Sequence, residues 1–351
     1  MHNTDSKPGF RDRKLILALV GVVLMGVGVV AALFGPFEMV CFYFFSEGGR
    51  FAYEGFGFGS FMFGNLATQI AGYYLIAALC IPLGYGHLKT RRWIRPLALA
   101  LLWFWLVLGI PLTAIFLSIL LTAKELAPAA ALAVTVVLAL AYLVLPWLLI
   151  RFYRSRDVKL TLASHDPKAY RIEQVPVPIL VLCALFLFYV VVLHVPIFFN
   201  GMCPFFGVFL YGMNGIWLLD IAIWSLVLLT WGVARQKRWA WWGSLVYMSL
   251  LALSTVLTFA RTSYPDILSQ MRFAPVEMEA LGGLPVEGYH LAVFFGGPLL
   301  ITVGLTAYAR QFFAGGRGAT DGAASPAPGA PRPAPPSLPS AAPPRDSLPP
   351  T

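Results

Sequence analysis

The stretch RFYRSRDVKLTLASHDPKAYRIEQVPVP, residues 151–178, decides how the chain is arranged. Long apolar segments flank it, four before and four after, and it carries six basic side chains against three acidic ones. A basic segment between hydrophobic spans marks a cytoplasmic loop, because Lys and Arg are moved across a bilayer only with difficulty. Once this loop is placed, every other loop is assigned to one side of the membrane.

The composition excludes an ordinary soluble domain. Hydrophobic residues make up 59% of the chain and charged residues 12%, against about a quarter charged in soluble proteins, and the mean hydropathy is +0.76. The net charge of +9 sits in short clusters at the ends of apolar runs. That placement favours anchoring in a lipid bilayer, and we expect no nucleic-acid partner.

Apolar runs of about 20 residues predict transmembrane helices. Eight are predicted, at 14–34, 66–86, 96–121, 128–150, 179–199, 216–234, 242–260 and 291–309. The first is open to an alternative interpretation as a signal peptide, but its apolar stretch is too long and no cleavage site follows it. The predicted fold class is an all-α bundle of about eight transmembrane helices.

The positive charges give the orientation. With both termini in the cytoplasm, 21 of the 25 Lys and Arg residues fall in cytoplasmic segments. The exceptions are Arg50, Lys124, Arg261 and Arg272. This bias predicts a multi-pass protein of the cell membrane with both termini cytoplasmic.

Two matches suggest an internal repeat. An aromatic-glycine run at 58–64 recurs at 206–212, and a Gly-basic-Trp cluster at 86–93 recurs at 232–239, 146 residues later. Interfaces also produce such clusters independently, so a parallel repeat of four plus four spans stays one of two explanations. The predicted domains are a cytoplasmic N-terminus 1–13, a first half 14–150, a basic cytoplasmic loop 151–178, a second half 179–314, and a disordered, Pro/Ala-rich cytoplasmic tail 315–351.

Two outer segments differ in character. Residues 35–65 are rich in aromatic residues and glycine, and we expect them to pack on the outer face of the bundle or to dip into the interface. Residues 261–290 are more polar and predict a short helix with turns.

Asp220 is the most informative polar residue, because an ionisable group inside a membrane helix costs a few kcal/mol and usually faces the bundle interior. Because successive spans cross the membrane in opposite directions, several other polar residues should lie at a depth similar to that of Asp220, in the half of the bundle that faces outward. The candidate intramembrane polar site consists of Asp220, His194, Asn200, Gln69, Asn214 and Arg261.

Two explanations of this cluster are open. It could form an outward-facing solute site, with Asp220 and His194 as a pair whose charge is tunable. Alternatively, it could serve interhelical hydrogen bonding, with Asp220 capped by water or by an asparagine. No continuous polar path crosses the bilayer, which weighs against a channel.

Motifs for cofactor or metal chemistry are missing from the sequence. The histidines show no metal-ligand spacing, and no phosphate-binding or hydrolase motif is present, so we expect no cofactor. Cys41 and Cys203 both fall in outer segments, where an oxidising compartment permits a disulfide between them.

The function is therefore predicted only broadly. The arrangement resembles that of many polytopic membrane proteins of bacteria, in which an Arg-Arg-Trp cluster such as residues 91–93 often begins a span. Non-enzymatic binding or transport of a small solute is the leading interpretation. The alternatives are a scaffold or accessory subunit that contacts other membrane subunits, and a membrane-embedded enzyme using Asp220 and His194.

Overall fold

The computed structural model describes residues 11–314, except 47, 52, 54, 55, 123–127, 272 and 285. The tail 315–351, for which the sequence predicts disorder, lies outside the described residues. So do Lys124 and Arg272, two of the four basic residues assigned to outer segments.

The described residues before 177 contain six α-helices. They are α1 (Lys14–Phe45), α2 (Phe61–Leu88), α3 (Ile94–Thr122), α4 (Pro128–Ala139), α5 (Leu145–Arg154) and α6 (Arg156–His165). A π-helical turn, Leu140–Val144, joins α4 to α5. A 3-10 turn, Arg171–Gln174, follows α6.

The second half begins with α7 (Val177–Phe198) and a two-stranded antiparallel hairpin. Its strands are β1 (Cys203–Phe205) and β2 (Val208–Leu210), with Pro204 opposite Phe209. The remaining helices are α8 (Gly212–Ala234), α9 (Arg238–Arg261), α10 (Tyr264–Ser269), α11 (Pro275–Gly282), α12 (Gly288–Tyr308) and α13 (Arg310–Ala314).

Within the described residues, eight helical segments are long and apolar enough to cross a membrane. They are α1, α2, α3, the combined α4 and α5, α7, α8, α9 and α12. The predicted fold class is confirmed: this is an all-α, polytopic membrane protein. The main differences lie at helix ends, since α1 continues through Pro36 to Phe45 and α8 begins four residues earlier than predicted.

Successive spans run in opposite directions, so their ends define two faces. We name the basic face after the loops 89–93, 155–176 and 235–237, which carry nine of the 19 described Lys and Arg residues. We name the opposite one the aromatic face; it carries 46–60, the hairpin, and residues 262–287 with α10 and α11. The prediction of helix and turns for 261–290 is confirmed by these two short helices.

The core lies between α3 and the second half of the chain. One buried cluster joins α3 to α7, α8, α9 and α12, and a second joins α1, α3, α5 and α6 near the basic face. Glycines let α1 approach α2 closely: Gly28 lies against Ile81, and Gly35 lies against the ring of Tyr74. Small residues at such spacing allow membrane helices to pack at short range.

The two Gly-basic-Trp turns follow the same backbone path. In the first, Thr90 adopts a left-handed conformation with φ of 47°, and the Arg91 amide donates a hydrogen bond to the Gly86 carbonyl oxygen at 2.8 Å. The matching residues of the second turn are Gln236, Lys237 and Gly232. There φ is 53° and the hydrogen bond is 3.0 Å.

The glycine in each turn is required for the same reason. A Cβ at Gly86 would meet the indole of Trp93 at 2.7 Å, and one at Gly232 would meet the indole of Trp239 at 2.8 Å. This shared geometry supports the predicted repeat for the helices that these turns join. The aromatic-glycine runs agree less well: Gly59 and Gly207 both have positive φ, but only the second run forms a hairpin.

Candidate functional site

Asp220 lies deeper in its helix than the sequence alone suggested. Because α8 begins at Gly212, Asp220 is eight residues, or ~12 Å of helix, from that end. It sits a quarter of a turn from the buried Leu219, at the border between the packed side of α8 and the side that exposes Trp217 and Trp224. The Asp220 carboxylate is half-buried and has neither a hydrogen bond nor an ion pair to the described residues.

His194 and Asn200 belong to the end of α7. The exposed His194 ring makes a hydrogen bond of 2.7 Å from Nδ1 to the Val190 carbonyl oxygen, one turn earlier. Asn200 has a left-handed backbone with φ of 61°, and its carbonyl oxygen accepts the Gly212 amide at 2.7 Å. Asn200 thus ends α7 and connects it to the start of α8.

The other three predicted site residues lie apart from Asp220. Gln69 is half-buried in α2, and Asn214 is exposed in the first turn of α8. Arg261 ends α9 and lies beside Gly207, where an added Cβ would meet its guanidinium at 3.2 Å. Within the described residues, no hydrogen bond or ion pair joins any two side chains of the predicted site.

Interhelical hydrogen bonds in the bundle use neutral side chains instead. The Tyr189 and Thr302 hydroxyls join α7 to α12 at 2.7 Å. The Trp241 indole N–H donates to the Thr306 carbonyl oxygen at 2.7 Å, and the Tyr247 hydroxyl donates to the Ala222 carbonyl oxygen at 3.1 Å. Within the described residues, Asp220 takes part in none of these interhelical hydrogen bonds.

Glu277 is a buried carboxylate that the sequence analysis missed. Its side chain is 5% exposed and accepts the Met62 amide at 3.0 Å and the Ala274 amide at 2.9 Å. It also accepts the Phe61 amide at 3.4 Å, so it caps the N-terminus of α2. Burial and the Glu277 carboxylate together raise the pKa of the Tyr53 hydroxyl.

Asp166 plays the matching role on the basic face. It is 2% exposed and accepts the Arg92 amide at 3.2 Å, just before α3 begins. The Arg91 guanidinium lies 3.7 Å away. Burial opposes ionisation of Asp166, but the Arg92 and Lys168 amides, the Tyr170 hydroxyl and Arg91 outweigh it, and the pKa of Asp166 lies below its usual value.

Two neighbouring cavities open at the basic face, each of about 340 Å³. The first lies among the ends of α3, α5, α7 and α12 and is mainly apolar. The second lies under α6 and is lined by Arg92, Arg95, Lys159 and Glu173. Both are also lined by Leu99 and Val177, and we refer to them together as the basic-face cleft.

The predicted disulfide between Cys41 and Cys203 is not formed; both side chains are free thiols. Cys41 lies on α1, which packs mainly on α2, whereas β1 packs on α8 and α9. Burial raises the pKa of the Cys203 thiol to about 11, which keeps it protonated and unreactive.

No site among the described residues groups three His, Cys, Asp or Glu side chains as metal ligands. Comparison with protein-family models, with curated proteins and with solved structures found no match to this chain.

Proposed function

We propose that the protein binds or transports a small solute without covalent chemistry, at a site in the aromatic-face half of the bundle. Asp220 is the central and deepest residue of this site, and His194, Asn200, Gln69, Asn214 and Arg261 lie in the same half of the bundle. The proposal includes the orientation given by the charges: a cell-membrane protein with both termini in the cytoplasm and the aromatic face outside.

The observation that carries the proposal is the unpaired carboxylate of Asp220. Placing an Asp at the centre of a membrane helix costs about 2.5–3.5 kcal/mol even on lenient insertion scales, and such residues normally pair with another group. Asp220 has no hydrogen-bond partner in the described residues, so capping by an asparagine has no support there. A carboxylate kept at that depth without a protein partner is suited to meet water, a cation or a polar solute.

Unpaired buried polar atoms point to the same half of the bundle. Four side chains have such an atom in the described residues: Thr68, Tyr211, Ser244 and His290. All except Ser244 lie in the aromatic-face half. Buried polar atoms are normally satisfied by protein or by ordered water, so these positions favour access of water to that half.

Cysteine accessibility tests the site directly. In a background without the four native cysteines, Asp220→Cys is compared with Trp224→Cys, one turn deeper and 73% exposed on the lipid side. A charged, membrane-impermeant thiol reagent added from outside should modify Asp220→Cys at least tenfold faster, because thiolates form only where water reaches. Equal, very slow modification of both would contradict a water-accessible site.

A flux measurement tests the activity itself. The full chain in liposomes is assayed for uptake of a panel of labelled amino acids, sugars and inorganic ions. We expect Asp220→Asn to reduce transport of the accepted solute at least tenfold. Glu38→Gln is the matched control, because Glu38 is also half-buried in an outer helix end but lies near the interface. Equal loss in both variants would contradict the role given to Asp220.

A scaffold is the second candidate, and one observation favours it. The aromatic segment at the end of α1 exposes Phe37, Tyr43 and Phe51 by 59%, 67% and 62%. Exposed apolar patches of this kind often contact other proteins. If the protein is a scaffold, the double variant Tyr43→Ser, Phe51→Ser should dissociate a native complex, as measured by size-exclusion chromatography and mass spectrometry. The rate at which the thiol reagent modifies Asp220→Cys should not change.

The third candidate, an enzyme, requires a second acid or base within hydrogen-bond reach of the first. Within the described residues, Asp220 and His194 have no such neighbour. We therefore do not extend the proposal to covalent chemistry.

A further inference from the structure

The basic-face cleft has an unbalanced charge. Four cations line it, Arg92, Arg95, Arg154 and Lys159, against the single carboxylate of Glu173. That carboxylate is already engaged, since Arg92 pairs with it at 2.9 Å. Arg154 and Lys159 are exposed and have no acidic partner in the described residues.

One cation is held in place by the fold. The Arg95 Nε donates a hydrogen bond to the Tyr153 carbonyl oxygen at 2.9 Å, which fixes the guanidinium between α3 and α5. Its four remaining N–H groups make no hydrogen bond to the described residues. A planar guanidinium with such donors suits a phosphate, to which arginine binds in bidentate fashion.

The neighbouring cavity has the opposite character. Its walls are apolar side chains from the basic-face halves of three spans: Leu99, Trp103, Val107, Val181, Leu305 and Tyr308. Tyr308 is at the basic-face end of α12 and Val107 is near the middle of α3, so the cavity extends from the surface into the acyl-chain region of that leaflet. A charged rim above an apolar slot matches an amphiphile, with its anionic head at the rim and its chain in the slot.

We propose that the basic-face cleft binds one anionic phospholipid from the adjacent leaflet. The phosphate lies among Arg95, Arg154 and Lys159, and one acyl chain lies against Leu99 and Leu305. Basic pockets between transmembrane helices are suited to anionic lipid head groups. This site is separate from the one proposed around Asp220, which is in the other half of the bundle.

Native mass spectrometry of the full chain in detergent tests the proposal. Phosphatidylglycerol is titrated against phosphatidylcholine, and bound lipids are counted. We expect one phosphatidylglycerol to bind at least tenfold more tightly. The double variant Arg154→Gln, Lys159→Gln should weaken phosphatidylglycerol binding roughly 30-fold, because the loss of each cation should weaken it about fivefold. Leu305→Trp, which fills the apolar slot, should weaken both lipids.

The matched control removes two charges outside the cleft. Arg156→Gln with Arg171→Gln changes the same loop, and both side chains are exposed; we expect less than a threefold effect. An equal loss in the control would overturn the proposal in favour of general surface charge. Equal affinity for the two lipids would also overturn it. Full displacement of the lipid by glycerol 3-phosphate would do so as well, since the cleft would then be a soluble-anion site.

Discussion

The two faces of the bundle are held together by different chemistry. On the basic face, ion pairs join segments that are far apart in the chain; they are Arg13–Asp157 at 3.2 Å, Arg91–Asp166 at 3.7 Å and Arg92–Glu173 at 2.9 Å. On the aromatic face, rings pack on rings, as in the Phe42–Phe56 and Phe209–Phe259 contacts. The described part of that face contains no ion pair.

This difference suggests where each face is vulnerable. The aromatic face depends on close backbone approach and on one carboxylate, Glu277, bound to neutral donors. A larger side chain at a point of close backbone approach, or the loss of the Glu277 carboxylate, should therefore destabilise the aromatic face strongly. The basic face distributes its stability over several charges, most of them partly hydrated, so single changes there should cost less but respond to pH and salt.

The largest expected effect is at Gly215, where the hairpin meets α8. A Cβ at this position would overlap the Gly201 carbonyl oxygen, and it would also lie 3.0 Å from the Leu210 carbonyl oxygen. Both obstacles are backbone atoms, which cannot rotate away. We expect Gly215→Ala to lower the free energy of unfolding by about 3 kcal/mol or more, measured by denaturation in micelles.

Gly304→Ala provides the control for this prediction. Gly304 is also in a membrane helix, and an added Cβ there would meet nothing within 4 Å. The change should be neutral or stabilise the protein by about 0.5–1 kcal/mol, because alanine favours helix. If Gly215→Ala behaved like Gly304→Ala, the hairpin would not contact α8 as closely as the structure shows.

The second effect concerns Glu277. Glu277→Ala should cost about 2–3 kcal/mol, because the amide donors of Met62 and Ala274 lose a charged acceptor. Glu277→Gln keeps one acceptor oxygen and should cost roughly half as much. Thermal unfolding of both variants, compared with Glu279→Gln as an exposed control, would measure this order. Equal costs for all three would contradict the capping role.

The third effect is a pH dependence on the basic face. The pKa of Asp166 is lowered in the folded protein from an ordinary value of 3.8, so the unfolded chain takes up the proton first. The stability it contributes is complete above about pH 5 and is lost as the pH falls through the folded pKa. Asp166→Asn should lower the free energy of unfolding by about 1–2 kcal/mol at neutral pH. In this variant the free energy of unfolding should also fall less steeply as the pH is lowered, and we call this acidic part of the curve the acid limb.

The same measurement on Glu279→Gln gives the reference. Glu279 is exposed on the aromatic face, so the acid limb should keep its wild-type slope. An unchanged slope in Asp166→Asn would show that another group causes the acid sensitivity. A changed slope confined to Asp166→Asn would place that sensitivity on the basic face.

The sequence was sufficient for the spans because hydrophobicity is a property of each segment. Every predicted span is present, and the errors are at ends such as residues 35–45, where α1 continues beyond the uninterrupted apolar run. Pro36 lies inside α1, and membrane helices tolerate proline because neighbouring groups satisfy the freed backbone carbonyl.

The contacts of the sites could not be predicted in the same way. Glu277 lies more than 200 residues from the Phe61 and Met62 amides that it binds, and no local pattern indicates such partners. The partners of Asp166 could not be predicted either, because the positions of Arg91 and Arg92 relative to it depend on the fold. The depth of Asp220 was underestimated because a glycine, Gly212, begins its helix.

The smallest expected effect sharpens the contrast between the two faces. Arg13 and Asp157 pair at 3.2 Å with side chains 27% and 30% exposed, so water competes for both. A cycle of Arg13→Gln, Asp157→Asn and the double variant should give a coupling of about 0.5 kcal/mol that shrinks at high salt. The Arg13 amide still donates to the Thr161 hydroxyl at 3.0 Å in each variant, which keeps α1 near α6. A salt-independent coupling above about 2 kcal/mol would mean that the basic face is stabilised by a desolvated ion pair. Both faces would then depend on a buried carboxylate.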